Sequence, residues 1–318
     1  MLDRRFVEQV AATLGTRPGL VEKEWHVIRA IRIVADVDHG EACPVFSGGT
    51  SLSVGWGLIK RFSEDIDFKV AMPLAATSSQ ARTRRSAYRE KVLSALRDAG
   101  FELIGKPLCR NLSSFFSADF GYPTMFERTP GLRPHLRIEM TFQTPTLPAI
   151  ERPIRSLVAR AQKGAAEVPA FPCVDPVETA ADKLSALAWR MCVRIRGTKR
   201  DDPSIIRHLH DLAALEPLVA NAPVFNRLLR SAVENDTGRG GEDVPVNPSE
   251  RFALMLDRLT TDAAWEHDYE TYVHSVSFAM PDEMISFSNA LAATRRLIAQ
   301  ASDEISQEDV MQLDTSIA

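Results

Sequence analysis

Two short stretches, SGGTS at residues 47–51 and RFSEDID at residues 61–67, decide how the first half of this chain is interpreted. The first follows a short apolar segment that is typical of a buried strand. The second runs into DIDFKV at residues 65–70, where polar and apolar residues alternate with the two-residue period of a half-buried strand. That period places Asp65 and Asp67 on one face of the strand. The sequence therefore predicts a glycine-rich turn near a strand that carries paired carboxylates.

These two features together are the parts of a metal-dependent phosphate site. Two aspartates on one face can hold Mg²⁺, a hard cation that prefers oxygen ligands and completes its shell with water and substrate phosphates. Gly48 and Gly49 allow backbone N–H groups to approach a triphosphate closely. Ser51 or Ser47 could add a hydroxyl donor. Nucleotidyl and phosphoryl transfer need this combination, because their catalysis is mostly positioning and neutralisation of oxygen charge. The alternative is an ordinary turn beside a solvated strand face.

Outward from these stretches, the chain divides into two parts by its patterns. Residues 5–36 and 78–97 have helical spacing, and HLRIEMTF at residues 135–142 alternates as a second strand. Beyond a proline-rich stretch the pattern is helical almost to the end. We therefore expect an α+β protein, with a sheet and N-terminal helices in residues 1–165 and a mainly helical domain in residues 166–318.

Composition excludes several classes of protein. The 318 residues are 45% hydrophobic and 25% charged, which excludes intrinsic disorder, a collagen-like repeat and a small disulfide scaffold. No apolar run approaches the roughly 18 residues of a membrane helix, and the first residues lack the apolar core of a secretion signal. The four cysteines are scattered and form no CxxC pair. We expect a soluble, cytoplasmic protein with no membrane partner.

The two halves of the chain carry opposite net charge. Residues 1–165 contain 24 Lys and Arg against 17 Asp and Glu, whereas residues 166–318 contain 14 against 25. An arginine-rich first half suits a phosphate-bearing partner, although arginine also solvates ordinary protein surfaces.

The sequence also resembles a known family, the AbiEii/AbiGii nucleotidyltransferase toxins, which include the MenT toxins. The resemblance starts from GGTSL at residues 48–52 and RFSEDIDF at residues 61–68. It spans about residues 20 to 215, and its motifs are specific in combination. The other matching stretches are EKEW at residues 22–25, RPHLRIE at 133–139, ETAADKLSAL at 178–187 and RHLHDL at 207–212.

This resemblance implies a DNA-polymerase-β-like nucleotidyltransferase core with a mixed sheet, followed by the helical domain. It implies that Asp65 and Asp67 bind Mg²⁺ and the triphosphate of an NTP. It also implies a set of residues that cradle the nucleotide phosphates: Gly48, Gly49, Ser51 and Ser63.

The resemblance assigns two further residues of the helical domain to the same site. Lys183 would contact the phosphates, and Asp211 would be the last essential acid. On a helix that begins at Pro176, Lys183, Arg190 and Arg194 share one stripe, so Arg190 is a further nucleotide-binding candidate. A solvated helix face is the alternative for this stripe. For Asp211 the alternative is a surface pair with Arg207, worth at most about 0.2–0.5 kcal/mol.

Glu139 is a candidate third catalytic acid. It lies on the polar face of the second alternating strand, and polymerase-β-like enzymes often complete their metal site with a carboxylate from an adjacent strand. The alternative is an ion pair between Glu139 and Arg137, which shares that face.

The function that follows is an Mg²⁺-dependent nucleotidyltransferase toxin, with roles in toxin–antitoxin systems and phage defence. It would transfer NMP from an NTP to an RNA acceptor, which is the 3′ end of tRNA if the chain follows the MenT members, and so block translation. A cognate antitoxin would be its partner, and the base of the NTP stays open. Two alternatives also stay open: nucleotidylation of a protein or small-molecule hydroxyl, and a non-catalytic partner-binding module.

Basic and aromatic residues supply candidate RNA contacts. The stacking candidates are Trp56, Phe115 and Phe116, for each of which core packing is the alternative. The candidates for binding the phosphate backbone of RNA are the stripe Arg82, Arg85 and Arg89, and the cluster Arg190, Arg194, Arg196, Lys199 and Arg200.

Overall fold

The computed structural model describes residues 2–127 and 132–315, with side chains placed up to residue 301. The chain divides into two units: Met1–Asp175 with Val276–Ala279, and Pro176–Ser275 with Met280–Ala318. The first unit is α+β and the second is helical. The first unit ends later than the expected residue 165, because strand Val168–Cys173 pairs with its sheet.

A seven-stranded sheet forms the framework of the first unit, and it is mixed, as the family resemblance implies. Its spatial order is β3-β4-β5-β2-β1-β7-β6. The β2–β5 and β1–β7 pairs are parallel, and the other pairs are antiparallel. The strands are β1 Cys43–Ser47, β2 Asp65–Ala71, β3 Glu102–Arg110, β4 Phe115–Gly121, β5 Leu136–Thr141, β6 Ile150–Ile154 and β7 Val168–Cys173.

Strict alternation in β2 and β5 separates a core face from a polar face. Ile66, Phe68 and Val70 of β2 pack in the core, as do Ile138 and Met140 of β5. Removal of such a buried side chain costs about 2–5 kcal/mol, so the register that buries these residues is strongly specified. The residues between them consequently lie on the other face of the sheet.

Helices of the first unit flank the sheet and begin at recognisable caps. Asp3 accepts a hydrogen bond from the N–H of Phe6, and Thr77 accepts one from the N–H of Gln80. Pro18 occupies the first turn of its helix. The helices are α1 Arg4–Thr13, α2 Pro18–Asp36, α3 Gly48–Thr50, α4 Ser78–Asp98 and α5 Leu157–Ala161, and a π-helical turn, Ser51–Gly55, continues α3.

The second unit consists of helices joined by turns. Pro203 and Pro248 each follow a cap residue, Asp202 or Asn247, whose side chain accepts a backbone N–H. Its helices are α6 Pro176–Val193, α7 Arg207–Val219, α8 Phe225–Asn235, α9 Pro248–Thr261, α10 Ala264–Val276 and α11 Phe287–Thr315, with 3₁₀ turns at Pro203–Ile206, Gly241–Asp243 and Pro281–Glu283. Among the described residues, none of these helices is long and apolar enough to cross a bilayer.

Candidate active site

A row of acidic residues crosses the polar face of the central strands. In the parallel β2–β5 register Asp67 lies opposite Glu139, and Asp65 lies opposite Arg137. On the other side of Glu139, Ser117 of β4 lies opposite this residue. The hydroxyl of Ser117 donates to Oε1 of Glu139 over 3.3 Å. Backbone pairing thus brings Asp65, Asp67 and Glu139 together from two segments that are distant in sequence.

Arg137, the alternative partner for Glu139, is engaged elsewhere. Its Nε and Nη2 donate to the two carboxylate oxygens of Asp119 over 2.7 and 3.0 Å. This two-pronged hydrogen bond is the main reason that the pKa of Asp119 lies below its usual value. Arg137, which the sequence analysis weighed as a partner for Glu139, therefore forms a two-pronged pair with Asp119 of the neighbouring strand β4.

The glycine turn lies directly against Asp67. Gly48 has a φ of +73°, and a Cβ on it would stand 2.0 Å from Oδ2 of Asp67. A Cβ on Gly49 would stand 2.9 Å from Oγ of Ser63 and 3.0 Å from Nη2 of Arg61. Only glycine at both positions lets the turn approach this closely. Gly48, Gly49, Ser63 and Asp67 therefore form one cluster, as their shared motif suggests.

The serine of the turn behaves differently from the glycines. Ser51 is 1% exposed, beside Cys173. Its hydroxyl is buried in the protein interior. Thr50, to which the sequence motif assigns no role, donates its hydroxyl to the backbone carbonyl of Asp65. That hydrogen bond ties the turn to the strand that carries the aspartates.

Arg133 is a second residue to which the sequence motifs assign no role. Its Nη1 pairs with Oδ1 of Asp65, on the acidic row itself. The backbone of Arg133 is held at both polar groups: its N–H donates to Glu64 Oε1 over 2.7 Å, and its carbonyl accepts from Lys23 Nζ over 2.8 Å. Lys23 and Glu64 are themselves paired at 2.5 Å. The described residues contain no group of three His, Cys, Asp or Glu side chains already arranged to hold a metal.

The EKEW motif of α2 has a structural explanation. Lys23 makes the contacts just described, and Glu22 accepts hydrogen bonds from Thr124 Oγ1 at 2.6 Å and the N–H of Met125 at 2.7 Å. Glu24 accepts the N–H of Leu157 at 3.1 Å. The motif consequently anchors three separate segments of the first unit to one helix.

Burial gives Glu24 a pH-dependent effect on stability. Desolvation raises its pKa from 4.5 to about 8. Between those values the folded protein holds a proton that the unfolded chain has lost, so the free energy of unfolding falls as pH rises, by up to about 1.4 kcal/mol per pH unit. We expect Glu24→Gln to flatten this dependence between pH 5.5 and 7.5 in urea titrations. The exposed Glu8→Gln should leave it unchanged, and equal slopes in all three proteins would contradict the assignment.

In the second unit, Lys183 and Asp211 form a buried ion pair. Lys183 Nζ lies 2.8 Å from Oδ2 of Asp211, with the two side chains 7% and 0% exposed. His210 Nδ1 lies 3.4 Å from the other carboxylate oxygen. Burial, followed by the positive charge of Lys183, lowers the pKa of the neighbouring His208 well below its usual value. Asp211 is therefore an interior residue rather than one member of the surface pair weighed from the sequence.

We expect the loss of this pair to be costly. Asp211→Ala leaves the buried ammonium of Lys183 without this carboxylate, and the free energy of unfolding should fall by about 3–5 kcal/mol. The matched control is Asp243→Ala, which removes an exposed pair with Arg200 in the same unit and should cost at most about 1 kcal/mol. Chemical denaturation measures both variants. Similar values for the two would show that burial of the pair has no energetic consequence.

In the second unit, most of the basic residues predicted to bind RNA are paired with nearby acidic residues. Arg194 pairs with Asp201 and Asp268, and Arg196 pairs with Asp268 as well. Both guanidinium groups also stack on Trp265, at 4.2 and 4.6 Å from the ring centre. These arginines hold the helical unit together. Two further members of the predicted cluster also face acids: Arg190 lies 4.0 Å from Asp202, and Arg200 pairs with Asp243.

Several candidates for nucleic-acid contact in the first unit are likewise engaged in packing, and others are exposed. Arg85 and Arg89 of α4 stack on Phe142 and Phe116, whereas Arg82 on the same helix is exposed. Phe116 is 1% exposed and belongs to the core, so it is not a stacking surface. Trp56 is partly buried under the guanidinium of Arg152. Phe115, by contrast, is half-buried on the polar face of the sheet, opposite Thr141.

Comparison with known proteins gives three findings. Among solved structures, the chain is similar to MenT4, a nucleotidyltransferase toxin from Mycobacterium tuberculosis H37Rv, with 21% identity and a TM-score of 0.49 over 92% of this chain and 99% of that one. The curated proteins contain no match. The family model for the nucleotidyl transferase AbiEii toxin of type IV toxin–antitoxin systems matches residues 30–293, which is most of the chain. The chain therefore belongs to the AbiEii family of nucleotidyltransferase toxins.

Proposed function

We propose that this protein transfers a nucleoside monophosphate from an NTP to a hydroxyl group of RNA, with Mg²⁺ as the metal. The observation that carries the proposal is the position of Asp67. Its carboxylate lies against the backbone of Gly48, in register with Glu139 on the neighbouring strand. A carboxylate between a glycine turn and a second acid is suited to a metal-bound triphosphate.

The residues of the acidic row fit a magnesium ion. Asp65 and Asp67 would hold it, because carboxylate oxygens of adjacent polar-face positions are the donors that a hard cation prefers. Bound there, the ion would neutralise charge that develops on the phosphate oxygens. The close turn at Gly48 and Gly49 would place backbone N–H groups near the triphosphate, and Ser63 would add a hydroxyl beside Gly49.

Glu139 suits the role of the base in this reaction. It follows Asp67 along the row and accepts a hydrogen bond from Ser117, which holds its orientation. We assign to it the removal of the proton from the attacking hydroxyl as the new phosphoester bond forms and pyrophosphate leaves. Ser117→Ala should then lower the rate modestly, because the carboxylate would lose one orienting contact.

RNA is the favoured acceptor for two reasons. The first half of the chain carries the excess of basic residues, and Phe115 offers a half-buried ring on the same face as the acidic row. An unpaired RNA end such as that of tRNA can stack on a ring of this kind, and its terminal hydroxyl could then reach the site. A nucleotidylated 3′ end cannot be aminoacylated, so translation would stop. A cognate antitoxin accompanies toxins of this family.

Incubation of the purified protein with bulk tRNA and each α-labelled NTP tests the proposal. We expect label on the tRNA with at least one NTP, and none with the Asp67→Ala variant. The acceptor end is then located by periodate oxidation, which blocks a 3′-terminal diol and should abolish labelling.

The same reactions with total RNA, total protein and small-molecule extracts separate the alternative acceptors. Label on a protein or metabolite but not on RNA would overturn the choice of acceptor while it preserved the transfer chemistry. Absence of transfer to any of these acceptors would contradict the proposed reaction as a whole.

A further inference from the structure

The residue that pairs with Asp65 occupies a fixed place beside the acidic row. Arg133 is held by hydrogen bonds at its N–H and at its carbonyl, from Glu64 and Lys23 respectively. The clamping side chains are 18% and 6% exposed and are paired with each other. Both backbone polar groups of Arg133 are therefore hydrogen-bonded, whereas its side chain, 32% exposed, ends at Asp65.

This arrangement places an organic cation on a carboxylate that a metal would require. The guanidinium of Arg133 and a metal ion both bind through the lone pairs of the Asp65 carboxylate, so at close range each disfavours the other. The charge of one arginine near the acidic row also relieves the repulsion between Asp65 and Asp67 when no metal is bound.

We propose that Arg133 is a resident counter-cation that exchanges partners: it holds Asp65 in the metal-free protein and binds the NTP triphosphate once the metal takes Asp65. This inference rests on the proposed function, because it requires a metal and a triphosphate at the acidic row. A guanidinium suits both states, since its planar set of donors matches carboxylate and phosphate oxygens alike. Because both backbone polar groups of Arg133 are hydrogen-bonded, the exchange needs only a change in the side-chain torsions.

Titration calorimetry with MnCl₂ alone, and then with Mn²⁺ and a non-hydrolysable α,β-methylene NTP, tests the exchange. We expect Arg133→Gln to bind the metal about three- to tenfold more tightly than the wild type, because the competing cation is gone. The same variant should bind the nucleotide about tenfold more weakly. Arg133→Lys keeps the charge but lacks the fork, so its metal affinity should resemble that of the wild type while its nucleotide affinity falls.

Arg137→Gln is the matched control, because Arg137 lies on the same face but is engaged by Asp119. Its metal affinity should stay within about twofold of the wild-type value. Circular dichroism melts establish that each variant is folded. Unchanged or weaker metal binding by folded Arg133→Gln would overturn the exchange alone. If the wild type bound no metal, or bound it as well after Asp67→Asn, the proposed function would fall together with the exchange.

Discussion

Asp67→Asn is expected to lower nucleotidyl transfer by at least about a thousandfold while the protein remains folded. The substitution keeps the shape of the side chain and its place against Gly48, but removes the negative charge that a metal-bound triphosphate needs. The measurement is the initial rate of label transfer from the preferred NTP, together with a thermal melt. Because Asp67 lies next to other carboxylates, loss of its charge should not destabilise the fold.

The control for this substitution is Asp119→Asn. Asp119 lies on the same polar face, two strands from β2, but its carboxylate is engaged by Arg137. We expect less than about a tenfold loss of rate, because this residue is outside the cluster that contains Gly48 and Asp67. Equal losses in the two variants would show that the acidic row acts through its total charge rather than through the pair on β2.

Gly48→Ala is expected to abolish transfer and to destabilise the protein. The new Cβ would stand 2.0 Å from Oδ2 of Asp67, so the carboxylate or the turn must move, and a φ of +73° is strained for alanine. Strain of this kind costs about 1–3 kcal/mol. We expect a loss of activity comparable to that of Asp67→Asn, measured by the same transfer assay, and a lower melting temperature.

Gly57→Ala separates the effect of backbone strain in Gly48→Ala from the effect of displacing the Asp67 carboxylate. Gly57 also has a positive φ, of +67°, but a Cβ there would meet nothing within 4 Å. The melting temperature of Gly57→Ala should fall about as much as backbone strain alone lowers that of Gly48→Ala. Its transfer rate should stay close to that of the wild type. Loss of activity in Gly57→Ala as well would mean that general destabilisation, rather than displacement of Asp67, accounts for the result at Gly48.

The sheet and its polar face could be predicted because they depend on local periodicity. Alternation in β2 and β5 determines which side chains face the core, and hence that Asp65, Asp67 and Glu139 lie on polar faces. The neighbours of each strand in the sheet could not be predicted in this way. Periodicity does not reveal that β2 and β5 pair in parallel with Asp67 opposite Glu139, since that depends on packing of the whole first unit.

Contacts between distant segments explain what the motif analysis missed at the site. Arg133 reaches Asp65 because Lys23 and Glu64 hold its backbone, and no spacing within any one motif reveals that three-way contact. The buried position of Ser51 likewise depends on its location inside the π-helical turn beside Cys173. The arginines of the second unit have spacing suited to phosphate contact, yet Arg194 pairs with Asp201, in the segment that follows α6, and with Asp268 of α10. The charge pattern of the sequence does not reveal these partners.

The parallel pairing of β2 with β5 has a consequence for a growing polypeptide. A hairpin can form as soon as its two arms leave the ribosome, but these strands are separated by α4, β3 and β4. A nascent chain that has not reached residue 141 cannot seat Glu139 against Asp67. The acidic row can therefore assemble only after translation has continued some seventy residues past the aspartates, as far as the end of β5 at Thr141.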